Sequence, residues 1–170
     1  MRIRPRLLAA ATAALAALAL PAAAPAAEIT SCQFAGLQGG FTPTVPPPPF
    51  LGGQFAYSFS GDALNCTHVD TATPSVVNTP ARISSSGRYV SDVCGTGSMF
   101  GTMTTNLSAP AVADLVYDYT IQFVDWRGVL RGVNGSSTVS GVVTVHPLGT
   151  TCALGGVRDF ELTGSVEVVL

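Results

Sequence analysis

Leu115-Val116-Tyr117-Asp118-Tyr119-Thr120-Ile121-Gln122-Phe123-Val124 decides the fold class. Leu115, Tyr117, Tyr119, Ile121 and Phe123 alternate with Val116, Asp118, Thr120, Gln122 and Val124, a period of two. Successive side chains of a strand point to opposite faces, so this stretch reads as a strand with one face in a core. Upstream, Phe55, Tyr57, Phe59, Gly61 and Ala63 share one face, and Ala56, Ser58, Ser60 and Asp62 the other. Further strands are expected at 29–36, 88–94, 98–107, 128–133, 138–146 and 160–170. A weaker one over 76–84 is interrupted by Pro80, which places it at an edge. Ser84-Ser85-Ser86-Gly87 reads as a turn, Gly95-Thr96-Gly97 as a break, and Asn134-Gly135 as a hairpin turn. About nine short strands with Gly-rich turns and no helical pattern predict an all-β chain. The architecture expected is a single antiparallel β-barrel-like domain of about nine strands, with a β-sandwich as the alternative.

One pattern favours the barrel. Phe59-x-Gly61-x-Ala63, Met99-x-Gly101-x-Met103, Val139-x-Gly141-x-Val143 and Leu162-x-Gly164-x-Val166 each put a glycine on the apolar face in mid-strand. Glycine weakens a strand, so the repetition needs a reason. Inward glycines let a sheet coil tightly, or let a ring or a second backbone come close.

The N-terminus has the three zones of an export signal. Arg2, Arg4 and Arg6 precede an Ala/Leu run over 7–20, and small residues at 21–27 suit cleavage after Ala26 or Ala27. A spanning helix needs about 20 apolar residues, more than this run supplies before Pro21. Residues 1–27 are therefore read as a signal peptide and 28–170 as a secreted β-domain. Ile29-Thr30-Ser31-Cys32 also matches a lipobox, so a lipid anchor at Cys32 is the alternative. Thr42 to Phe50 contains four consecutive prolines and reads as a stiff surface strap at 42–50.

Beyond residue 27 the chain has no lysine; five arginines face ten acids, a net charge of −5. Such a chain is not expected to partner nucleic acid or an anionic membrane surface, because both need a basic footprint. No segment after residue 27 reads as transmembrane. Cys32, Cys66, Cys94 and Cys152 are an even set in an exported chain, which implies two disulfides. Three pairings are possible; joining chain neighbours, Cys32 with Cys66 and Cys94 with Cys152, is the favoured one. No Cys-x-x-Cys pair exists, so zinc-ribbon and thioredoxin-like sites lack support.

The candidate chemistry is thin. Cys66, His68 and Asp70 share one strand face, but at about 3.4 Å per residue Cys66 and Asp70 stand about 13 Å apart. His146 ends a strand, and two histidines at different rims cannot form one site. Gly95 to Gly101 lacks the lysine, the helix and the spacing of a phosphate loop. Asp114, Asp118 and Asp125 read as a solvated face, since glycoside hydrolysis needs a second carboxylate placed opposite the first. Trp126, the single tryptophan, is expected to close one end of a barrel core or to stack on a ligand at its rim. Tyr57, Tyr117 and Tyr119 lie on apolar faces; each hydroxyl needs a partner when buried, and together with Trp126 they are the possible ligand contacts. The absence of lysine excludes Schiff-base chemistry and Ser-x-x-Lys acylases. No catalytic residue, metal ligand or cofactor is assigned.

The Ala/Arg-rich leader, the four cysteines and Gly-punctuated strands such as Val93-Cys94-Gly95-Thr96-Gly97 resemble small secreted β-proteins of high-GC Gram-positive bacteria. The resemblance covers most of the chain after the leader. It implies export and carries no functional residue. The function expected is a non-catalytic secreted binding or interaction module for an apolar or glycan ligand, or for another protein, outside the cell. The alternatives are an extracellular hydrolase or isomerase with an unrecognised site, and a structural envelope protein. An open interior would favour a ligand carrier, whereas a filled one directs attention to the outside.

Overall fold

The computed structural model describes residues 28–49, 52–70, 76–78, 81–106 and 114–170; side chains at 64, 70 and 76–78 are not among those described. The leader assigned to 1–27, Phe50 at the end of the strap, and Pro80 lie outside the described residues. Nine strands are present: β1 (Glu28–Val45), β2 (Gly53–Asp70), β3 (Val76–Asn78), β4 (Ala81–Val93), β5 (Thr96–Thr105), β6 (Leu115–Val124), β7 (Arg127–Asn134), β8 (Ser137–Leu148) and β9 (Val157–Val169). They hydrogen-bond in the order β1-β9-β8-β7-β6-β5-β4-β2-β3, and β1 also pairs with β2. That extra pairing closes eight antiparallel strands into a barrel and rules out the sandwich. β4 pairs with β2 as far as Ala63, and β3 takes over the same side of β2 from Thr67 to Val69.

The alternation seen in the sequence is the alternation of the wall. Leu115 excepted, the odd residues of β6 named above are at most 4% exposed, and its even residues face outward. The interior is filled by such side chains from every long strand, among them Leu37, Phe41, Tyr89, Met99, Met103, Phe160 and Leu162. Charged side chains, Arg88, Asp118, Arg131 and Glu167 among them, stand outward. Among the described residues no helix is long and apolar enough to cross a membrane.

The inward glycines do what their placement suggests. A Cβ on Gly61 would lie 2.7 Å from Leu37, and one on Gly101 would lie 2.7 Å from the Tyr57 hydroxyl. Each glycine makes room for a large side chain that could not otherwise enter a narrow barrel.

Three expectations need correction. Ser84 to Gly87 is not a turn; β4 runs straight through it, with Ser85 inward and Gly87 opposite Gly101. Small polar residues mimic turn chemistry, but here the two inward ones, Ser85 and Gly87, are small to accommodate tyrosines, while Ser84 and Ser86 face outward. The first strand does not stop at Gly36. That residue adopts a φ of +85° where the β1–β9 register slips, and β1 continues to Val45. The strap is thus shorter at its start, because Thr42 to Val45 is strand. Pro43 lies where no β9 residue opposes it, so its missing N–H breaks no β1–β9 bond. The β7–β8 turn is Gly135-Ser136, one residue later than Asn134-Gly135, with Asn134 paired to Ser137.

Both disulfides take the favoured pairing, Cys32–Cys66 and Cys94–Cys152. The first joins the neighbouring strands β1 and β2 inside the core. It occupies Cys32 Sγ, so the alternative of a lipid on Cys32 does not fit. The second is different. It links the β4–β5 turn to the β8–β9 loop, which leave opposite sides of an eight-strand ring. The bridge therefore spans the mouth of the barrel at that end. Trp126 completes the stopper. Asp125 and Trp126 both have positive φ, 50° and 61°, the hairpin geometry normally given to Asn-Gly. A bulky residue there costs about 1–2 kcal/mol. The strained turn carries the indole over Tyr89 and Phe41, with ring centroids 6.1 Å from each. Trp126 N donates to Gly95 O at 2.7 Å and its carbonyl accepts from Val145 N at 2.8 Å, locking the turn across the mouth.

Candidate functional site: a groove on the outer wall

The residues singled out as possible ligand contacts are placed in two ways. Tyr57, Tyr117 and Tyr119 are buried within the filled core, at most 4% exposed. Trp126 is half-buried at the stoppered mouth. The tyrosine hydroxyls are all partnered. Ser85 donates to the Thr102 carbonyl at 2.8 Å, so it accepts from the Tyr119 hydroxyl at 2.6 Å, and Tyr119 in turn accepts from Tyr57. Tyr117 donates to Ser137, which donates to the Val169 carbonyl at 3.1 Å. Tyr89 is the exception. Among the described residues its enclosed hydroxyl has no hydrogen-bond partner.

Burial pushes the phenols of Tyr57, Tyr89 and Tyr119 above the usual tyrosine range, and the Tyr57 neighbour pushes Tyr119 further. For Tyr89, burial outweighs the opposing influence of the nearby Ser91 hydroxyl and Gly95 backbone. The sign follows from linkage. The folded protein keeps these three protonated where the unfolded chain, with pKa near 10, ionises, so stability is level below about pH 9 and falls above pH 10. Three such groups give a limiting slope of about 4 kcal/mol per pH unit. Denaturant midpoints measured from pH 8 to 11.5, with tyrosinate absorbance followed in parallel, should show one cooperative loss of fold together with ionisation. Smooth ionisation of Tyr57, Tyr89 and Tyr119 near pH 10 in folded protein would contradict the burial.

The two histidines lie at opposite ends. His68 sits near the start of β1, its Nδ1 2.8 Å from Thr30 Oγ1 and its Nε2 4.0 Å from Glu28. His146 is exposed near the stoppered mouth, 2.9 Å from Thr163 Oγ1. They cannot share a substrate. Among the described residues no group of three His, Cys, Asp or Glu is placed to hold a metal.

Side chains do converge on the outside. The strand register aligns Arg88 with Phe100, Phe100 with Thr120, Thr120 with Arg131, and Arg131 with Ser140. The next row is Ser86, Thr102, Asp118, Val133 and Thr138. Ser86 apart, these rows border a groove of about 1300 Å³ running across the strands, over Gly87, Gly101 and Gly132. The glycines explain its depth. Gly87 and Gly101 face each other, and Cβ atoms there would lie 2.8 and 2.7 Å from the Tyr57 hydroxyl. With nothing to hold it off, the wall sinks onto Tyr57, leaving a concavity outside.

Phe100 stands in the groove 39% exposed. Arg88 is beside it, steadied by Gln54 Oε1 at 3.3 Å from its Nη1. Arg131 stands on the ridge to a second groove of about 520 Å³, bordered by Ser31, Thr67, Val142 and Glu167. Among the described residues neither arginine has an ion-pair partner. Two of five arginines thus face one groove holding a single carboxylate, Asp118, in a chain whose residues 28–170 carry a net −5. The lining contains no histidine or cysteine, and one lone carboxylate cannot form an acid–base pair. The arrangement is equipped to hold a ligand.

Arg88, Phe100 and Arg131 were not distinguished by sequence reasoning, which weighed Asp118 only as a solvated acid. Their one local signal is a large apolar residue, Phe100, on the polar phase of its strand. Their convergence depends on the register of β4 to β7, which sequence periodicity does not determine. No family model, curated protein or solved structure matches this chain.

Proposed function

We propose that this protein is an exported, non-catalytic binding module that takes its ligand on the outside of the barrel, in the groove over β4 to β8. One observation carries the reading: an exposed aromatic ring lies between two unpaired guanidinium groups in a concavity that inward glycines create. The interior supports it, because the described strands pack it with buried apolar side chains. The two disulfides and the leader-like N-terminus support export.

The test is a screen of the purified 28–170 chain against immobilised extracellular glycans and peptides, with hits titrated by calorimetry. Phe100→Ala and Arg131→Ala should each weaken a hit at least tenfold, while His68→Ala and His146→Ala leave it unchanged. Both wall positions are exposed, so their substitution should leave the melting temperature within a few degrees. Hits that ignore Phe100 and Arg131, or that vanish with either histidine, would overturn the reading.

A further inference from the structure

The groove's chemistry narrows its ligand. We infer that it binds a carboxylated oligosaccharide, laid across the strands with its acid groups on Arg88 and Arg131 and a sugar ring on Phe100. The inference rests on the groove being the binding site.

Four features point to this class. Guanidinium groups pair carboxylates through two parallel N–H donors, and among the described residues Arg88 and Arg131 form no ion pair, although Asp118 shares their groove. They stand three strands apart, about 14 Å at the usual strand spacing, so one small acid cannot reach both but a short chain of rings can. Between them Phe100 offers a flat apolar face, which suits the C–H face of a pyranose. Thr102, Thr120 and Ser140 add hydroxyls to the lining, which can bond the hydroxyls of a sugar chain.

An acidic peptide fits less well. Every strand under the groove is paired on both sides, so no backbone edge is open for strand addition.

The probes are oligogalacturonate, oligoglucuronate and oligomannuronate of four to six sugars, compared with a neutral galactose oligomer of equal length and with hexaglutamate. At least one uronate oligomer should bind ten times more tightly than the neutral oligomer, and a free uronic acid monomer should not bind. Arg88→Gln and Arg131→Gln should each remove most of that preference, and Phe100→Ala should weaken both sugar classes. Binding should also weaken as salt rises, since the groove is open to solvent. Equal binding of neutral and acidic oligomers would overturn the ligand class but leave the groove as the site. Preference for hexaglutamate, or no uronate binding at all beside another ligand that still needs Arg131, would do the same. A ligand indifferent to Arg131 and Phe100 would remove both.

Discussion

Loss of both disulfides is expected to lower the stability of this barrel by about 8 kcal/mol, because each bridge restrains a long loop of the unfolded chain. Cys32–Cys66 spans 34 residues and Cys94–Cys152 spans 58. Loop-closure entropy assigns about 4 kcal/mol to each. Domains of this size have total stabilities of about 5–15 kcal/mol, so the reduced chain should lose at least about half of its stability, and all of it over the lower half of that range. The two bridges should not go together. Cys32 and Cys66 are each 2% exposed, whereas Cys94 and Cys152 are only partly buried at the mouth. Mild reductant should open the mouth bridge first and loosen Trp126, and the core bridge should yield only when the barrel unfolds. Denaturant midpoints with and without reductant, with alkylated cysteines mapped by mass spectrometry, check both statements. Equal midpoints, or prior loss of Cys32–Cys66, would contradict them.

Gly101→Val should be about as damaging as the loss of one disulfide, although it adds only three carbons. The first would lie 2.2 Å from the Ser86 carbonyl, 2.7 Å from the Tyr57 hydroxyl and 2.8 Å from Gly87 Cα. Two of these neighbours are backbone of β4, so relief requires β4 and β5 to separate. Overpacking of this kind costs about 1–3 kcal/mol. Displacing Tyr57 also breaks the hydroxyl relay through Tyr119 and Ser85, at about 1–3 kcal/mol for each buried group left unpaired. A total of about 4 kcal/mol or more is expected, together with loss of groove binding because the floor is raised. Gly135→Asn is the contrast. Nothing lies within 4 Å of its added Cβ, and asparagine tolerates the φ of +58°. Thermal melts of the two variants should differ widely; similar melts would mean that Gly101 is not a spacer.

The alternation of Leu115 to Phe123 and the recurring inward glycines were enough to identify an all-β barrel-like domain, because a two-residue period and a missing side chain are local facts. Of the three possible cysteine pairings, the favoured one between chain neighbours is the one present, although order in the chain did not decide it. Three things were not legible. Ser84 to Gly87 has the composition of a turn, and only the tyrosines on facing strands reveal why small residues occupy an inward row. The length of β1 depends on a bulge at Gly36. The groove depends on which residues of five strands stand side by side, so Arg88, Phe100 and Arg131 looked unremarkable when read one strand at a time.

Closure of the ring through β1 and β9 has a further consequence. A sheet with open sides offers rows of unpaired amides and carbonyls to any passing extended chain, which is how many β-proteins begin to aggregate. Here the eight barrel strands have neighbours on both sides, and β3, three residues long, is the only edge strand among the described residues. So little template is left for cross-molecular stacking that this protein should stay dispersed at concentrations where an open sheet of equal hydrophobicity would form fibres.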